Sequence, residues 1–218
     1  MVKQRIPETE HGIQGDFNVT AYDEMQRHMR TWTHCYRALL KLGMVKGHAL
    51  EIGPGPGYLG IEWLKHTSGT TLTGLDISTD MIALATRNAE AHGLCKRAEY
   101  RLGSGNQLPF DDCSFDLAFT NGSLHEWAHP QQTFNEIWRI LKPSGEYLIS
   151  DLRRDMNWLI VRFMYFSVRP ASIRHFLLTS VGAAYTPSEL QQMCDDTRLK
   201  GGKVLNNPFG ISLTGCKN

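Results

Sequence analysis

The sequence predicts an α/β fold, with a doubly wound, mostly parallel sheet covered by helices on both faces. Short apolar runs alternate with segments of helical periodicity between residues 48 and 150. Strands joined through helices run parallel with right-handed crossovers, so one sheet is expected. The 218 residues suit one such domain with an appended segment, and 41% hydrophobic residues are ordinary for a globular protein.

The part before the first strand is expected to hold an arm and one helix. Residues 1–20 are polar, and a helical pattern runs from Tyr22 to Leu42, where Gly43 can end it. The alternation then begins with a strand that enters a turn rich in glycine and proline. In chain order we expect strands at 48–52, 71–75, 98–102, 115–120 and 146–150, with helices at 58–65, 79–92 and 130–141.

The pattern changes after the fifth strand. The segment from Met156 to Leu178 is apolar and aromatic, with arginines at intervals. Thr186-Pro187-Ser188-Glu189 then forms a capping-box sequence, which predicts the start of another helix. Two short strands at 203–205 and 211–214 are expected to pair at the sheet edge, which makes seven strands in all.

Charge and cysteine content exclude several classes of protein. Lys and Arg total 23 against 22 Asp and Glu, so the net charge of +1 predicts neither nucleic acid nor an anionic membrane as the main partner. The five cysteines are scattered, which argues against a disulfide framework and against a zinc cluster, so no metal is expected. The N-terminus lacks a secretory pattern and no run is long enough to span a bilayer, so we expect a cytoplasmic protein without a transmembrane segment.

The strongest local signal is the turn Leu50-Glu51-Ile52-Gly53-Pro54-Gly55-Pro56-Gly57. Glycines between a strand and a helix let the backbone approach a ligand closely. Residues 55–60 also satisfy the GxGxxG dinucleotide fingerprint, so a nicotinamide-dependent oxidoreductase has to be considered. Two prolines in the turn lack N–H donors for a pyrophosphate, and the charge of Glu51 would oppose one. A ligand with an ammonium group suits Glu51 better.

A second acidic residue ends the second predicted strand. Asp76 follows Gly57 by 19 residues, the place from which a carboxylate accepts hydrogen bonds from ribose hydroxyls. The alternative is that Asp76 caps the following helix, a role for which Ser78 and Thr79 compete.

Together these motifs resemble the class I S-adenosylmethionine-dependent methyltransferases, in particular the small-molecule branch that includes the ubiquinone/menaquinone type. The resemblance covers about residues 45–152 and includes Gly103–Phe110, Ser114-Phe115-Asp116 and Arg139–Gly145. It implies a Rossmann-like fold, S-adenosyl-L-methionine as cofactor and methyl transfer to a small molecule by in-line displacement. The residues it implies for cofactor binding are Glu51, Gly53, Pro54, Gly55, Gly57, Asp76, Ile77, Met81, Ser104, Gly105 and Asn121.

The sequence departs from the family at the loop after the third strand. Ser104 stands where the family has an aspartate that holds the adenine amine, and Asn106 can take over part of that role. This departure keeps open a third class, a non-catalytic methyltransferase-like binding protein.

Two residues are candidates for catalysis. His125, after the fourth strand, can act as a general base, although it can equally orient its loop or pack against Trp127. Glu126 and Asp151 are weaker candidates for the same role. Tyr22 resembles the family's tyrosine that closes over the cofactor and can face the sulfonium, with core packing as the alternative.

The resemblance and the element pattern divide the chain into four parts. Residues 1–44 are expected to cover the cofactor site, 45–152 to bind S-adenosylmethionine, 153–198 to form a helical lid, and 199–218 to complete the sheet. The lid predicts a small methyl acceptor that is partly apolar, with an acidic group held by Arg153, Arg154 or Arg162. A core or dimer-forming helix and an interfacial membrane helix are the alternatives, so homodimerisation stays open.

Overall fold

The computed structural model describes residues 4–8 and 12–217, and these contain a seven-stranded sheet. Its strands are β1 (Lys46–Ile52), β2 (Gly69–Asp76), β3 (Ala98–Leu102), β4 (Phe115–Asn121), β5 (Leu141–Leu152), β6 (Lys203–Asn206) and β7 (Gly210–Cys216). Its helices are α1 (Asp16–Met29), α2 (Thr33–Leu42), α3 (Tyr58–Lys65), α4 (Thr79–Ala91), α5 (Pro130–Ile140), α6 (Trp158–Ser167), α7 (Arg174–Ala183) and α8 (Pro187–Asp195).

The strand order is β3-β2-β1-β4-β5-β7-β6. The first five strands are parallel, and β7 is antiparallel to both β5 and β6. The chain winds outward from β1 to β3 and then crosses to β4 on the other side of β1. In such sheets a crevice opens between the carboxyl ends of the two strands where the winding reverses. The predicted α/β class, the Rossmann-like topology and the terminal strand pair are confirmed.

Apolar side chains of the central strands fill a core on each face of the sheet. Leu50 and Ile52 belong to one buried cluster with Phe134 of α5, while Ala49 belongs to the other cluster with Trp63 of α3. Successive strand residues point to opposite faces, so a strand covered on both sides needs apolar residues at consecutive positions. The sequence of β1 meets that need.

The predicted helix from Tyr22 to Leu42 was wrong in one respect, because the region forms two helices. α1 begins earlier, at Asp16, and ends at Met29, and the following residue, Arg30, adopts a left-handed conformation with φ 48°. The Thr33 hydroxyl donates a hydrogen bond of 2.7 Å to the Arg30 carbonyl oxygen, which is the kind of side-chain bond that competes with helix continuation. The break directs the Trp32 side chain into the buried core.

The segment after β5 folds into α6, α7 and α8. The predicted capping box is present: the Glu189 N–H donates to the Thr186 hydroxyl at 3.2 Å, and the Thr186 N–H donates to the Glu189 carboxylate at 2.8 Å. The residues before α7 pack on α1 through Val168, Ile173 and Ala21. None of the helices in the described ranges has the length and apolar character that crossing a bilayer requires.

Candidate functional site

A cavity of about 320 Å³ opens at the carboxyl ends of β1, β2 and β4. All the residues predicted to bind the cofactor line it except Gly57, and Tyr22 lines it as well. The cavity lies beside the β1–β4 reversal, where the topology places ligands in sheets of this kind. The turn after β1 forms its floor.

The glycine turn keeps its shape through left-handed residues. Gly53, Gly55 and Gly57 have φ of 65°, 52° and 80°. A Cβ on Gly53 would lie 2.7 Å from the Ser123 Cβ, so the turn and the end of β4 approach closely only because this residue is glycine. Gly57 is the N-cap of α3, and a Cβ there would lie 2.7 Å from the Tyr100 hydroxyl oxygen. Its place is therefore beneath the turn, outside the cavity lining.

Glu51 is a buried carboxylate with unmet hydrogen-bonding capacity. Its side chain is 2% exposed and lines the cavity, and its Oε2 atom has no hydrogen-bond partner among the described residues. Burial, reinforced by the Asp76 carboxylate, raises the pKa of Glu51 to about 8. A buried carboxylate oxygen without a hydrogen-bond partner is costly, and a cation bound in the cavity would relieve that cost.

Asp76 shapes the turn and faces the cavity. Its Oδ2 accepts a hydrogen bond from the Gly55 N–H at 3.1 Å, and its Oδ1 accepts one from the Ser78 N–H at 2.9 Å. The Ser78 side chain, not Asp76, caps α4 by accepting the Met81 N–H. Burial raises the pKa of Asp76. Each carboxylate oxygen keeps a lone pair for a ligand hydroxyl.

The loop after β3 lines the far side of the cavity. The exposed Ser104 hydroxyl accepts the Asn106 N–H at 3.2 Å, and the Asn106 side-chain oxygen accepts the Thr133 hydroxyl at 3.3 Å. Ser104, Gly105 and Asn106 all line the cavity. The loop therefore presents neutral polar groups where an acid was expected from the family.

The N-terminal helices supply a wall that the sequence identified only at Tyr22. The Tyr22 ring lies across from Gly55, where an added Cβ would be 3.5 Å from the Tyr22 Cε1 atom. Burial, together with the nearby charge of Glu126, raises the pKa of Tyr22, which keeps its hydroxyl protonated. Trp32 also lines the cavity, is 7% exposed, and its indole N–H has no partner among the described residues. Its place after a helix break gave no signal in the sequence.

His125 lies behind the cavity wall instead of on it. It is 4% exposed, its Nδ1 is 2.9 Å from the Asp151 Oδ1, and its Nε2 is 3.5 Å from Glu8 and 3.8 Å from Glu126. Burial alone would lower the pKa of His125, but the charges of Asp151, Glu126 and Glu8 outweigh it and raise the pKa to about 9. An imidazole that is protonated at neutral pH is poorly suited to accept a proton.

Glu126 has the position that was predicted for His125. It lines the cavity, whereas His125 does not. Burial raises the pKa of Glu126 to about 7, against the opposing charge of His125. The residue was a weaker candidate in the sequence because nothing there showed which of the two neighbours faces the cavity.

Two of the three arginines predicted to hold an acidic substrate are engaged elsewhere, and the third is exposed. Arg153 forms a two-point ion pair with Asp155 at 2.7 and 2.8 Å, and Arg154 pairs with Glu189 and the Ala184 carbonyl oxygen. Arg162 is exposed on α6. No described residue from 153 to 198 lines the cavity, so the lid stays a prediction.

Comparison with known proteins finds a family model, relatives and a solved structure that are similar to this chain. Residues 50–149 match the family model described as "Methyltransferase domain". The ubiquinone/menaquinone biosynthesis C-methyltransferase UbiE of Ruegeria sp. (strain TM1040) is 29% identical over 165 residues, which cover 71% of this chain and 65% of that protein. The demethylmenaquinone methyltransferase of Lactiplantibacillus plantarum is 29% identical over 142 residues, covering 62% of this chain and 60% of the relative. The chain thus spans less than two thirds of the length of these relatives.

A solved structure shares the whole fold. The putative S-adenosyl-L-methionine-dependent methyltransferase of Methanococcus maripaludis has a TM-score of 0.75 and 20% identity, covering 99% of this chain and 98% of its own. The domain match, the relatives and the fold agree with the order of motifs around the cavity. Over residues 50–149 the chain is similar to the methyltransferase domain of the class I S-adenosylmethionine-dependent methyltransferases.

Proposed function

We propose that the protein transfers the methyl group of S-adenosyl-L-methionine to a small-molecule acceptor. One observation carries the proposal: Glu51, a buried carboxylate whose Oε2 atom has no hydrogen-bond partner among the described residues, lines a cavity together with Asp76 at the ends of adjacent strands. An ammonium group matches the first carboxylate, and ribose hydroxyls match the second. When bound, the cofactor supplies a methyl group on a positively charged sulfur, which is already an activated leaving group.

Glu51 and Trp32 fit the two charges of the cofactor's amino-acid part. The Glu51 Oε2 is an acceptor without a donor, and the Trp32 indole N–H is a donor without an acceptor, among the residues that the structure describes. Both line the same cavity, so an ammonium and a carboxylate from one ligand complement them. A nicotinamide cofactor fits less well, because Pro54 and Pro56 line the cavity without N–H donors and Glu51 would oppose a pyrophosphate.

The catalytic demand on the chain is mainly one of alignment. The Gly55 turn, held by Asp76, and the Tyr22 ring bound the same part of the cavity from opposite sides. A fixed arrangement of acceptor and methyl group lowers the barrier by removing translational and rotational freedom before reaction. The Tyr22 ring also offers a π-face to a cationic sulfur.

Glu126 is the proposed proton acceptor when the acceptor's nucleophile carries a proton. It faces the cavity, and Asp151 holds His125 behind it. We assign His125 a positioning role, because its Nε2 lies on the Glu126 side and its Nδ1 is bonded to a buried carboxylate. Once an acceptor is known, Glu126→Gln should lower kcat by about 10²–10⁴-fold. An unchanged kcat would remove this role.

The acceptor is proposed to be partly apolar. Tyr22, Trp32 and Trp127 line the cavity. Among the relatives, one is a C-methyltransferase of ubiquinone/menaquinone biosynthesis and another is a malonyl-[acyl-carrier protein] O-methyltransferase. Aromatic rings of small metabolites suit such a wall.

Calorimetry with S-adenosylhomocysteine and with NAD tests the proposal, followed by a methyl-donor assay on a panel of phenols, quinols and carboxylic acids. We expect binding of S-adenosylhomocysteine, none of NAD, and turnover with at least one aromatic acceptor. Binding of NAD in the same cavity would favour an oxidoreductase. Binding of S-adenosylhomocysteine without turnover across the panel would favour a non-catalytic protein, the alternative that the neutral Ser104 loop supports.

A further inference from the structure

The outward face of α6 is apolar. Trp158, Leu159, Phe163 and Phe166 are 68%, 56%, 67% and 52% exposed. Together with exposed Arg162 they occupy positions i, i+1, i+4, i+5 and i+8 of the helix, counted from Trp158, so they form one stripe along it. A helix on a water-facing surface normally carries its polar residues there, and α6 carries four large apolar side chains and a single charge.

The opposite face of α6 does not compensate for this exposure. Ile160, Val161, Met164 and Tyr165 are only half-buried, and the helix has no fully buried residue. The helix therefore rests loosely against α7 and leaves most of its apolar surface uncovered. Contiguous exposed apolar surface on a folded protein marks a place where something else binds.

The segment that contains α6 and α7 carries charged side chains of one sign. Between Asp155 and Glu189 the sequence has three arginines, at 162, 169 and 174, and no acidic residue. Arg162 and Arg169 are exposed. The Arg162 guanidinium lies 5.1 Å from the Phe166 ring centre, so positive charge adjoins the aromatic stripe. The whole-chain charge of +1 hides this local excess, which is why the net charge predicted no anionic membrane as the main partner.

This charge pattern distinguishes between the two occupants that suit an apolar helix. In a symmetric dimer the same surface of both copies meets, so α6 would face another α6 with the same arginines and no acid in 156–188 to pair with them. An anionic lipid surface supplies the missing negative charge through its phosphates and accepts aromatic side chains among its acyl chains.

We propose that α6 docks on an anionic lipid bilayer, lying in the plane of the headgroups. In that arrangement Trp158, Phe163 and Phe166 insert below the phosphates, and Arg162 and Arg169 contact them. The helix follows the carboxyl end of β5, which is the sheet edge that also holds the cavity. Docking would therefore bring that edge to the membrane. The proposal does not depend on methyl transfer.

Vesicle sedimentation tests the proposal with the intact protein. The vesicles are of phosphatidylcholine alone or of phosphatidylcholine with phosphatidylglycerol, and binding is expected only to the second. Leu159→Ser should weaken binding at least about tenfold, and Arg162→Gln about fivefold. Leu205→Ser is the matched control, because Leu205 is 55% exposed against 56% for Leu159 and lies on the edge strand β6. It should bind like the wild type.

Tryptophan fluorescence gives a second measurement. Trp158 is 68% exposed, so lipid insertion should shift its emission to the blue. Trp158→Phe should keep vesicle binding and lose that shift. The proposal is overturned by equal binding to both kinds of vesicle, by equal effects of Leu159→Ser and Leu205→Ser, or by absence of vesicle binding. Self-association of the wild type that Phe163→Ser abolishes, without vesicle binding, would identify a second copy as the occupant instead.

Discussion

Replacing Glu51 with glutamine should change ligand affinity and the stability of the free protein in opposite directions. Glu51 is 2% exposed and its Oε2 atom has no partner among the described residues. In the free protein an ionised Glu51 is a buried, unpaired charge, whereas in the complex it is expected to face an ammonium. Glutamine keeps the shape and removes the charge, so it removes both the cost in the free protein and the gain in the complex.

The size of the affinity loss follows from the charged hydrogen bond, and its pH dependence follows from the pKa of Glu51. A charged hydrogen bond contributes about 1.5–3 kcal/mol, so the variant should bind S-adenosylhomocysteine roughly ten- to a hundredfold more weakly at pH 8. Since the pKa of Glu51 in the folded protein is about 8, the carboxyl must lose a proton when the ligand binds at lower pH. Wild-type affinity should then fall by about tenfold for each pH unit below the pKa. The variant should lack this slope.

Whereas Glu51→Gln should weaken ligand binding, it should stabilise the ligand-free protein. Burial raises the pKa of Glu51 from 4.5 to about 8, so between these values the folded state holds a proton that the unfolded state has lost. The contribution of Glu51 to stability therefore falls as the pH rises through this window. At pH 8 the ligand-free variant should melt at a higher temperature than the wild type.

Calorimetry at pH 6, 7 and 8 and thermal melting without ligand measure the two effects. Glu90→Gln is the control, because Glu90 is exposed on α4, and it should match the wild type in both. Equal affinities of the Glu51→Gln variant and the wild type at pH 8, or a pH slope that persists in the variant, would refute the ammonium assignment.

Four further substitutions test other residues of the same region. Asp76→Asn should weaken S-adenosylhomocysteine binding by about 1.5–3 kcal/mol in calorimetry, and unchanged affinity would contradict the ribose assignment. Trp32→Phe keeps an aromatic ring in the core but removes the indole N–H, so ligand affinity should fall while the melting temperature of the free protein does not. Ser104→Asp should preserve or raise ligand affinity, and a large loss would show that the loop after β3 does not contact adenine. His125→Gln should lower the free energy of unfolding by about 3–5 kcal/mol at pH 6, because it leaves the buried Asp151 carboxylate without an opposite charge. The pKa of His125 is raised from 6.5 to about 9, so this stabilisation is complete below pH 6.5 and is lost as the pH rises through 9. Melting curves should therefore show the gap between this variant and the wild type narrowing toward pH 10, and a constant gap would argue against a charged His125.

The sequence by itself determined the sheet and the location of the site. Apolar runs such as 48–52, turn residues and the capping box at Thr186 act over a few neighbouring positions, so they can be identified without knowledge of the fold. The glycine turn and Asp76 lie at strand ends, and parallel strands bring those ends to one edge. The cavity residues that lie at the strand ends and in the glycine turn were therefore predictable, and of the residues predicted to bind the cofactor only Gly57 lies outside the lining.

Only the tertiary structure decided which side chains face the cavity. His125 and Glu126 are neighbours in a short 3-10 turn, and packing against Asp151 turned one inward and left the other on the wall. Trp32 reaches the cavity because α1 and α2 meet at a bend, and Arg153 and Arg154 are held by partners at Asp155 and Glu189. The exposure of the apolar side chains of α6 is likewise a result of how the helices pack in the folded protein. Burial and long-range pairing involve residues far apart in the chain, so local sequence patterns do not predict them.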